Sequence, residues 1–154
     1  MLRELLKNSR RSDRELAKVL KASQPTITRM RTKLLNEGVI KEFTVIPDFA
    51  KIGYEIMAIS CVKKKTSITM PSEKGLKWMK NNSNIIFAAA AEGMGKNGVI
   101  ISLHENFANF SKFVSESRQY WGEEIEDYDT ILVSLQEITP KPLSFKYLVV
   151  EKTQ

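Results

Sequence analysis

The feature that most constrains the fold is a pair of helix signals separated by only three residues. Ser12, with Glu15 three positions later, has the pattern of a capping box, which predicts that a helix begins there. Residues 21–23 leave room only for a tight turn before Pro25, which is tolerated in the first turn of the next helix. That helix is predicted to stop at Gly38, a residue suited to the position just after a helix end. Two helices joined in this way predict a helix-turn-helix motif.

The second of these two helices has distinct faces. Ile27, Met30 and Leu34 fall on one stripe at helical spacing and are predicted to be its buried side. The opposite side collects hydrogen-bonding groups and cations, namely Thr28, Arg29, Thr32, Lys33 and Asn36. Side chains of this kind suit the major groove of DNA, although a surface helix that is merely solvated would show them too.

The net charge of the chain, +6, is confined to its first third. Residues 1–54 hold 12 Lys+Arg and 6 Asp+Glu, which gives +6, whereas residues 55–154 hold 12 of each, which gives zero. A one-sided basic segment is typical of a protein with a polyanionic partner. Together with the capped helix and the short turn, it favours DNA over the solvated-surface alternative.

Composition narrows the class of protein. At 42% apolar and 27% charged residues, the chain is expected to be globular, and one domain or two small ones would suit its 154 residues. One cysteine can form neither an internal disulfide nor a CxxC metal site, and no segment resembles a membrane span or a signal peptide. We therefore expect a cytoplasmic protein with no membrane partner, cofactor or metal.

Several stretches of the first 54 residues resemble a known family. Ser23–Met30 and Leu35–Ile40 resemble the DNA-binding domain of the Lrp/AsnC (feast/famine) transcription regulators, and Leu16-Ala17 lies in the matching second helix. Residues 41–47, continuing to residues 52–54, resemble the strand and hinge that leave that domain. The resemblance therefore implies a helix-turn-helix or winged DNA-binding domain over residues 1–54.

A second domain is predicted for residues 55–154. Its apolar patterns predict, in order, a strand at 55–62, a helix at 71–81, strands at 84–92 and 99–103, a long helix capped by Asn106, and a strand at 128–135. This βαββαβ order is the ferredoxin-like unit, so the fold class is α+β. Residues 143–150 are predicted to add an edge strand or a swapped arm. The resemblance implies that this domain forms homodimers, often builds rings of dimers, and senses amino acids or related small molecules.

The predicted DNA contacts lie on the second helix of the motif or at its start, and are Gln24, Pro25, Thr26, Thr28, Arg29, Arg31, Thr32 and Lys33. Thr28, Arg29 and Thr32 are predicted to reach base edges. Gln24 and Thr26 sit at the helix N-terminus, where a phosphate is held favourably. The other two cations, Arg31 and Lys33, are expected to attract the DNA by charge or to contact its backbone. A dimer would place two such helices in successive major grooves of a pseudo-palindrome.

A glycine-rich loop, Gly93-Met94-Gly95-Lys96-Asn97-Gly98, precedes an apolar strand. A dinucleotide fingerprint would have to open a helix, so this match is not a cofactor motif. Its Asn-Gly pair predicts a hairpin turn with positive φ. The family has a glycine-containing turn near its effector pocket, which makes Gly93, Gly95 and Asn97 the candidate effector residues. That turn ends in an acid in the family, and Asn97-Gly98 replaces it here, which weighs against ordinary amino-acid sensing.

Two other functions remain open at the level of sequence. Siroheme decarboxylases resemble the same family and use histidine and basic residues around a tetrapyrrole. This chain has one histidine, His104, which we expect at the surface or an interface, and a charge-neutral second half. The other alternative is a small-molecule-binding protein whose helix-turn-helix is vestigial. We predict a sequence-specific DNA-binding regulator and not an enzyme.

Overall fold

The computed structural model describes residues 1–65 and 72–149. The chain divides into two compact units, one made of Met1–Ile46 with the segment that begins at Lys141, and the other of Pro47–Pro140. The functional division predicted at residues 54 and 55 stays a prediction.

The first unit contains three helices, α1 (Leu2–Lys7), α2 (Asp13–Leu20) and α3 (Gln24–Asn36). The predicted capping box is confirmed, because the Glu15 amide donates to Ser12 Oγ at 3.3 Å and the Ser12 amide donates to Glu15 Oε2 at 2.7 Å. Gly38 follows α3 with φ of +67°, as the predicted helix stop requires. The core of the unit joins all three helices through buried aliphatic side chains, namely Leu5, Leu16, Ile27 and Ile40.

The buried face of α3 differs from the predicted stripe at one position. Ile27 is fully buried and Leu34 packs against the core, but Met30 is 39% exposed. The side chain of Arg31 is instead largely covered, at 21% exposure, and forms an ion pair with Asp13 of α2. Periodicity of apolar residues cannot predict this arrangement, because a paired arginine takes a place on the inward side of the helix.

The second unit is the predicted α+β fold of βαββαβ order. Its elements are β1 (Ile56–Lys64), α4 (Glu73–Asn81), β2 (Ile85–Gly93), β3 (Lys96–His104), α5 (Phe107–Trp121) and β4 (Ile125–Ser134). The four strands form an antiparallel sheet in the order β2-β3-β1-β4. Both helices contribute to the cluster that covers Val62 and Ile100, so they lie on the same face of the sheet. Pro71, the predicted start of α4, lies outside the described residues.

His104 is buried, which corrects the expectation of a surface or interface histidine. It is fully inaccessible at the end of β3, and its ring packs edge-on against Phe110 and Phe113 of α5. Its Nδ1 lies 3.1 Å from Asn109 Oδ1 and its Nε2 lies 2.8 Å from Ser102 Oγ. Burial lowers the pKa of His104, although the hydrogen bond to Asn109 partly opposes this. These partners on β3 and α5 satisfy both ring nitrogens and make the buried position acceptable.

The turn between β2 and β3 is not formed by the predicted Asn97-Gly98 pair. The residues of the turn are Met94 and Gly95, with φ of +51° and +71°. Asn97 and Gly98 lie within β3. The Asn97 side chain hydrogen-bonds both the amide and the carbonyl of Lys64, which fixes it in the sheet.

Two other predicted strands are absent from the described residues. Residues 41–47 pair with no described strand, and the side chains of Phe43 and Val45 are exposed. In place of an edge strand, Phe145–Val149 forms a 3-10 helix against α1, with Val149 buried. Pro140 and Pro142 precede this segment and lack the amide donors of a strand ladder. Val150, the predicted end of the strand, lies outside the described residues.

Candidate nucleic-acid interface

Asp13 fixes α3 relative to α2. Its carboxylate accepts a hydrogen bond of 2.6 Å from the Thr28 hydroxyl and one of 2.8 Å from Arg31 Nε, and Arg31 Nη2 lies 2.6 Å from the same carboxylate. The hydrogen bond from Thr28, followed by that from Arg31, lowers the pKa of Asp13, so the ionised form is the one that joins the helices. Sequence reasoning missed this residue, because its partners lie 15 and 18 positions away.

Arg31 points into the unit and not toward solvent. Besides Asp13, its guanidinium donates to the backbone carbonyl of Arg11 at 3.2 Å and lies 5.6 Å from the centre of the Phe43 ring. These contacts use most of its donors. Arg31 therefore differs from the other predicted contact residues, because its guanidinium contacts protein groups. Its role is to position α3.

The other seven predicted contact residues share an exposed surface at the start and along the outward side of α3, and they are Gln24, Pro25, Thr26, Thr28, Arg29, Thr32 and Lys33. We call this set the α3 outer face. Within the described residues, the Arg29 side chain has no ion-pair or hydrogen-bond partner, whereas Lys33 has a loose ion pair of 3.7 Å with Glu37. Thr32 donates its hydroxyl to the Thr28 carbonyl and keeps its acceptor side available. Of the two cations on this face, Arg29 is therefore the more available to a partner.

The N-terminus of α3 presents side chains more than backbone amides. Ser23 caps the helix by accepting from the Thr26 amide at 3.3 Å, and its hydroxyl lies 2.8 Å from that of Thr26. Pro25 has no N–H to offer. The side chains of Gln24 and Thr26 are consequently better placed than the helix amides to meet a phosphate.

Further cations surround the α3 outer face. Arg14 and Lys18 are exposed on α2, and Lys21 is exposed in the turn. Lys21 has φ of +50°, which allows its amide to close α2 on the Ala17 carbonyl. A lysine in this left-handed conformation is costly compared with glycine, but it places a positive charge between the two helices.

The three candidate effector residues lie at the end of the β2–β3 hairpin. Gly93 and Gly95 belong to the turn region and both have positive φ, whereas the side chain of Asn97 is committed to Lys64. Of the three, Gly95 lies in the two-residue turn, Gly93 pairs with Lys96 beside it, and Asn97 lies within β3.

Comparisons with known proteins agree with this geometry. A family model described as winged helix-turn-helix DNA-binding matches residues 1–41. HTH-type transcriptional regulator PH0061 of Pyrococcus horikoshii is 32% identical over 137 residues, covering 87% of this chain and 88% of that protein. HTH-type transcriptional regulator LrpC of Bacillus subtilis is 31% identical over 93 residues, covering 60% of this chain and 62% of that protein. The chain belongs to the Lrp/AsnC family of transcriptional regulators.

Solved structures of similar fold cover most of this chain. The crystal structure of PH0061 has a TM-score of 0.77 at 26% identity and covers 92% of each chain. Transcriptional regulator NMB0573 from Neisseria meningitidis, solved as an L-Met complex, has a TM-score of 0.76 over 93% of this chain and 88% of that one, and at 15% identity supports the fold alone. This Lrp/AsnC protein is a DNA-binding helix-turn-helix transcription regulator. No helix of the described residues is long and apolar enough to cross a membrane.

Proposed function

We propose that this regulator recognises a specific DNA sequence through the α3 outer face. The observation that carries the proposal is the exposed guanidinium of Arg29, which has no partner among residues 1–65 and 72–149 and lies between Thr28 and Thr32 on a helix that Asp13 holds in place. Arg29 is suited to a bidentate contact with guanine, and the two threonines present short side chains that allow close approach to base edges. Gln24, Thr26 and Lys33 would fix the register on the phosphates, Pro25 would contribute only van der Waals contact beside them, and Arg31 would act through Asp13.

We propose that the protein acts as a homodimer, which can assemble further into a ring of dimers. The support is an apolar row that crosses the sheet on the face away from α4 and α5. Phe87, Ile101, Ile59 and Ile131 are aligned on neighbouring strands, and the outer two are 51% and 60% exposed. Two copies packed on this face would bury the row and present two copies of α3 to the half-sites of a pseudo-palindrome.

Ile131→Asp tests the dimer. A charge buried within this apolar row is expected to convert the dimer into monomers at micromolar concentration, as measured by light scattering. Ile138→Asp, at a position that is 92% exposed, is the matched control and should leave the mass unchanged. If Ile131→Asp also keeps the wild-type mass, the sheet face is not the interface.

We also propose modulation by a small-molecule effector at the β2–β3 hairpin, with Gly93, Gly95 and Asn97 as its candidate site. Support comes from the resemblance and from a fold neighbour solved with L-Met. Since Asn97 is held by Lys64, contacts from the hairpin would come from backbone groups. Because it acts on DNA, we also propose that the protein is cytoplasmic.

One observation weighs against the tetrapyrrole enzyme. His104 is the one histidine of the chain, and it is fully buried with both ring nitrogens hydrogen-bonded. It could reach a tetrapyrrole only if β3 and α5 separated. We therefore propose that the protein is a regulator without catalytic activity.

The experiment that tests sequence recognition is selection of bound fragments from the source genome by the purified protein. We expect a recovered pseudo-palindrome with half-sites about one helical turn, or a multiple of it, apart. Arg29→Ala should weaken binding to that site by about 1–3 kcal/mol and relax the preference at one position of each half-site.

Lys112→Ala is the matched control, since it removes an exposed cation from α5 and should change the affinity little. Recovery of no common sequence would support the vestigial helix-turn-helix. An unchanged sequence preference in Arg29→Ala would remove Arg29 from the base-reading set.

A further inference from the structure

The chain contributes to the first unit twice. Its first part, Met1–Ile46, is followed by the second unit, and the chain then returns to the first unit at Lys141. We call residues 141–149 the return segment. Its 3-10 helix, Phe145–Val149, packs against α1. The return segment therefore belongs to the unit that contains the helix-turn-helix motif, although the whole second unit separates it from α3 in the sequence.

The attachment of the return segment depends on one apolar anchor. Val149 is 4% exposed, whereas its neighbour Leu148 is 74% exposed and Phe145 is 56% exposed. Among the described residues, the return segment makes no hydrogen bond or ion pair with Met1–Ile46. One buried valine is a small contribution compared with a domain core. An attachment of this kind can dock and detach while the rest of the unit stays folded.

The helix on which the segment docks needs a neighbour. α1 has six residues, and a helix this short is marginal by itself in water. Its helical form therefore depends on packing against the core, through the buried Leu5, and against the return segment. In contrast, α2 and α3 are also joined by the hydrogen bonds of Asp13. Detachment of the return segment is thus expected to loosen α1 before the other two helices.

Charge opposes the attachment. Residues 1–46 hold 11 Lys+Arg and 5 Asp+Glu, which gives +6, and the return segment adds two lysines, Lys141 and Lys146, and no acid. Both lysines are exposed, as are Arg3 and Lys7 of α1. Like charges on packed elements repel, and salt screens them only in part, because the Debye length is about 10 Å at about 0.1 M salt. A bound polyanion such as DNA would neutralise part of the charge of the unit and relieve this repulsion.

We propose that docking of the return segment on α1, anchored by Val149, and DNA binding by the first unit strengthen each other. Coupling between two equilibria is reciprocal, so the factor by which DNA strengthens docking equals the factor by which docking strengthens DNA binding. This regulation rests on DNA binding by the first unit, as in the proposed function, but not on recognition of a particular sequence.

The first test compares Val149→Asp with Leu148→Asp. Both variants add the same charge to the same segment, so the comparison isolates the anchor. Without DNA, Val149→Asp should speed amide hydrogen exchange in α1 and in the 3-10 helix and leave β1 and β3 unchanged, whereas Leu148→Asp should not speed it. Val149→Asp should also bind a mixed-sequence DNA duplex at least about 5-fold more weakly than Leu148→Asp. If Val149→Asp unfolds the whole first unit, Val149→Ala takes its place in both measurements.

The second test measures the coupling from the other side. A saturating amount of the same duplex should slow exchange in the 3-10 helix of the wild-type protein by the factor that separates the two variants in affinity. Without DNA, raising the salt from about 0.1 M to about 1 M should slow it too, because the repulsion is screened. The double variant Lys141→Gln/Lys146→Gln should dock more tightly than the wild type without DNA and gain less from the duplex.

The proposal is overturned if Val149→Asp and Leu148→Asp exchange alike in α1, or if they bind the duplex equally. It is also overturned if the duplex leaves exchange in the 3-10 helix unchanged or speeds it, or if the double variant docks less tightly than the wild type. A wild-type protein that binds no duplex would overturn DNA binding and the coupling together. Exchange without DNA distinguishes that failure, because the effect of the anchor on α1 would remain.

Discussion

The two units of the molecule place their polar groups in opposite ways. In the first unit the core is aliphatic, and the polar link between Asp13 and Arg31 lies outside that core and is only partly covered. In the second unit, the helix-covered face of the sheet itself contains fully buried polar residues, namely Ser60, Ser102 and His104. The first arrangement leaves other cations free to meet a partner, whereas the second uses its polar groups internally. The difference matches the proposed division, in which the basic first unit meets DNA and the second unit joins the copies of the chain.

The largest effect is expected from Leu16→Ala. Leu16 is fully buried in the aliphatic core of the first unit, so the truncation should lower its free energy of unfolding by about 2–5 kcal/mol. Residue-resolved hydrogen exchange should show the loss in α1 to α3 and leave the protection of β1 and β3 unchanged. Equal loss of protection in both units would contradict the division into two compact units.

A smaller effect is expected from the polar link of the first unit. Asp13→Ala should destabilise this unit by about 1–2 kcal/mol, because it removes a charge-assisted hydrogen bond from partly covered groups that water still screens. Chemical denaturation of Asp13→Ala, Arg31→Ala and the double variant would measure the coupling directly.

The same link should affect DNA binding. Since Asp13 positions α3, the Asp13→Ala variant should bind DNA more weakly even though it gains a positive charge. Tighter binding by the variant would show that charge, and not the position of the helix, controls affinity.

The two units should lose stability in different pH ranges. The pKa of His104 is lowered on folding, so the unfolded state binds a proton more readily, and the second unit should lose stability as the pH falls below about 6.5. The slope is at most about 1.4 kcal/mol per pH unit for one proton. The pKa of Asp13 is also lowered, but for a carboxylate this stability is lost only as the pH falls below about 4.

Because the chain has one histidine, its ring signals in NMR report this site alone. They should titrate with a midpoint below 6.5, and the second unit should weaken in acid before the first. A midpoint at or above 6.5 would contradict the buried neutral ring.

The smallest effect is expected at the hairpin turn. Met94 has φ of +51°, a conformation that favours glycine, and its side chain is 84% exposed. Met94→Gly should therefore stabilise the second unit by up to about 1 kcal/mol, as measured by thermal unfolding. Met94→Val should do the reverse, and stabilisation by valine would argue against strain in this turn.

Features that depend only on neighbouring residues could be predicted from the sequence. Ser12, Glu15, Pro25 and Gly38 act on their own helix ends, so their signals are local and the predicted helices are confirmed. The apolar patterns after residue 54 likewise predicted the βαββαβ order correctly. The exposed side of α3 could also be predicted, because the helical spacing of its apolar residues indicates which side is buried.

The errors concern residues whose environment is set by distant parts of the chain. Arg31 occupies a largely covered position because Asp13 pairs with it, whereas Met30 is exposed, and the burial of His104 is tolerated because Asn109 and Ser102 satisfy its ring. Asn97-Gly98 has the composition of a turn but lies in β3, where Lys64 and Val62 hold the two residues. Local patterns contain no information about such partners.

The central claim is that the excess charge of the first 54 residues is a DNA-binding surface organised around α3. The most direct measurement is the affinity for the selected DNA site, and for a scrambled duplex, across a series of salt concentrations. The account predicts that log K falls steeply and linearly with log salt for both duplexes, with the selected site bound at least about 10³-fold more tightly throughout. A flat salt response, or equal affinity for the two duplexes, would contradict it.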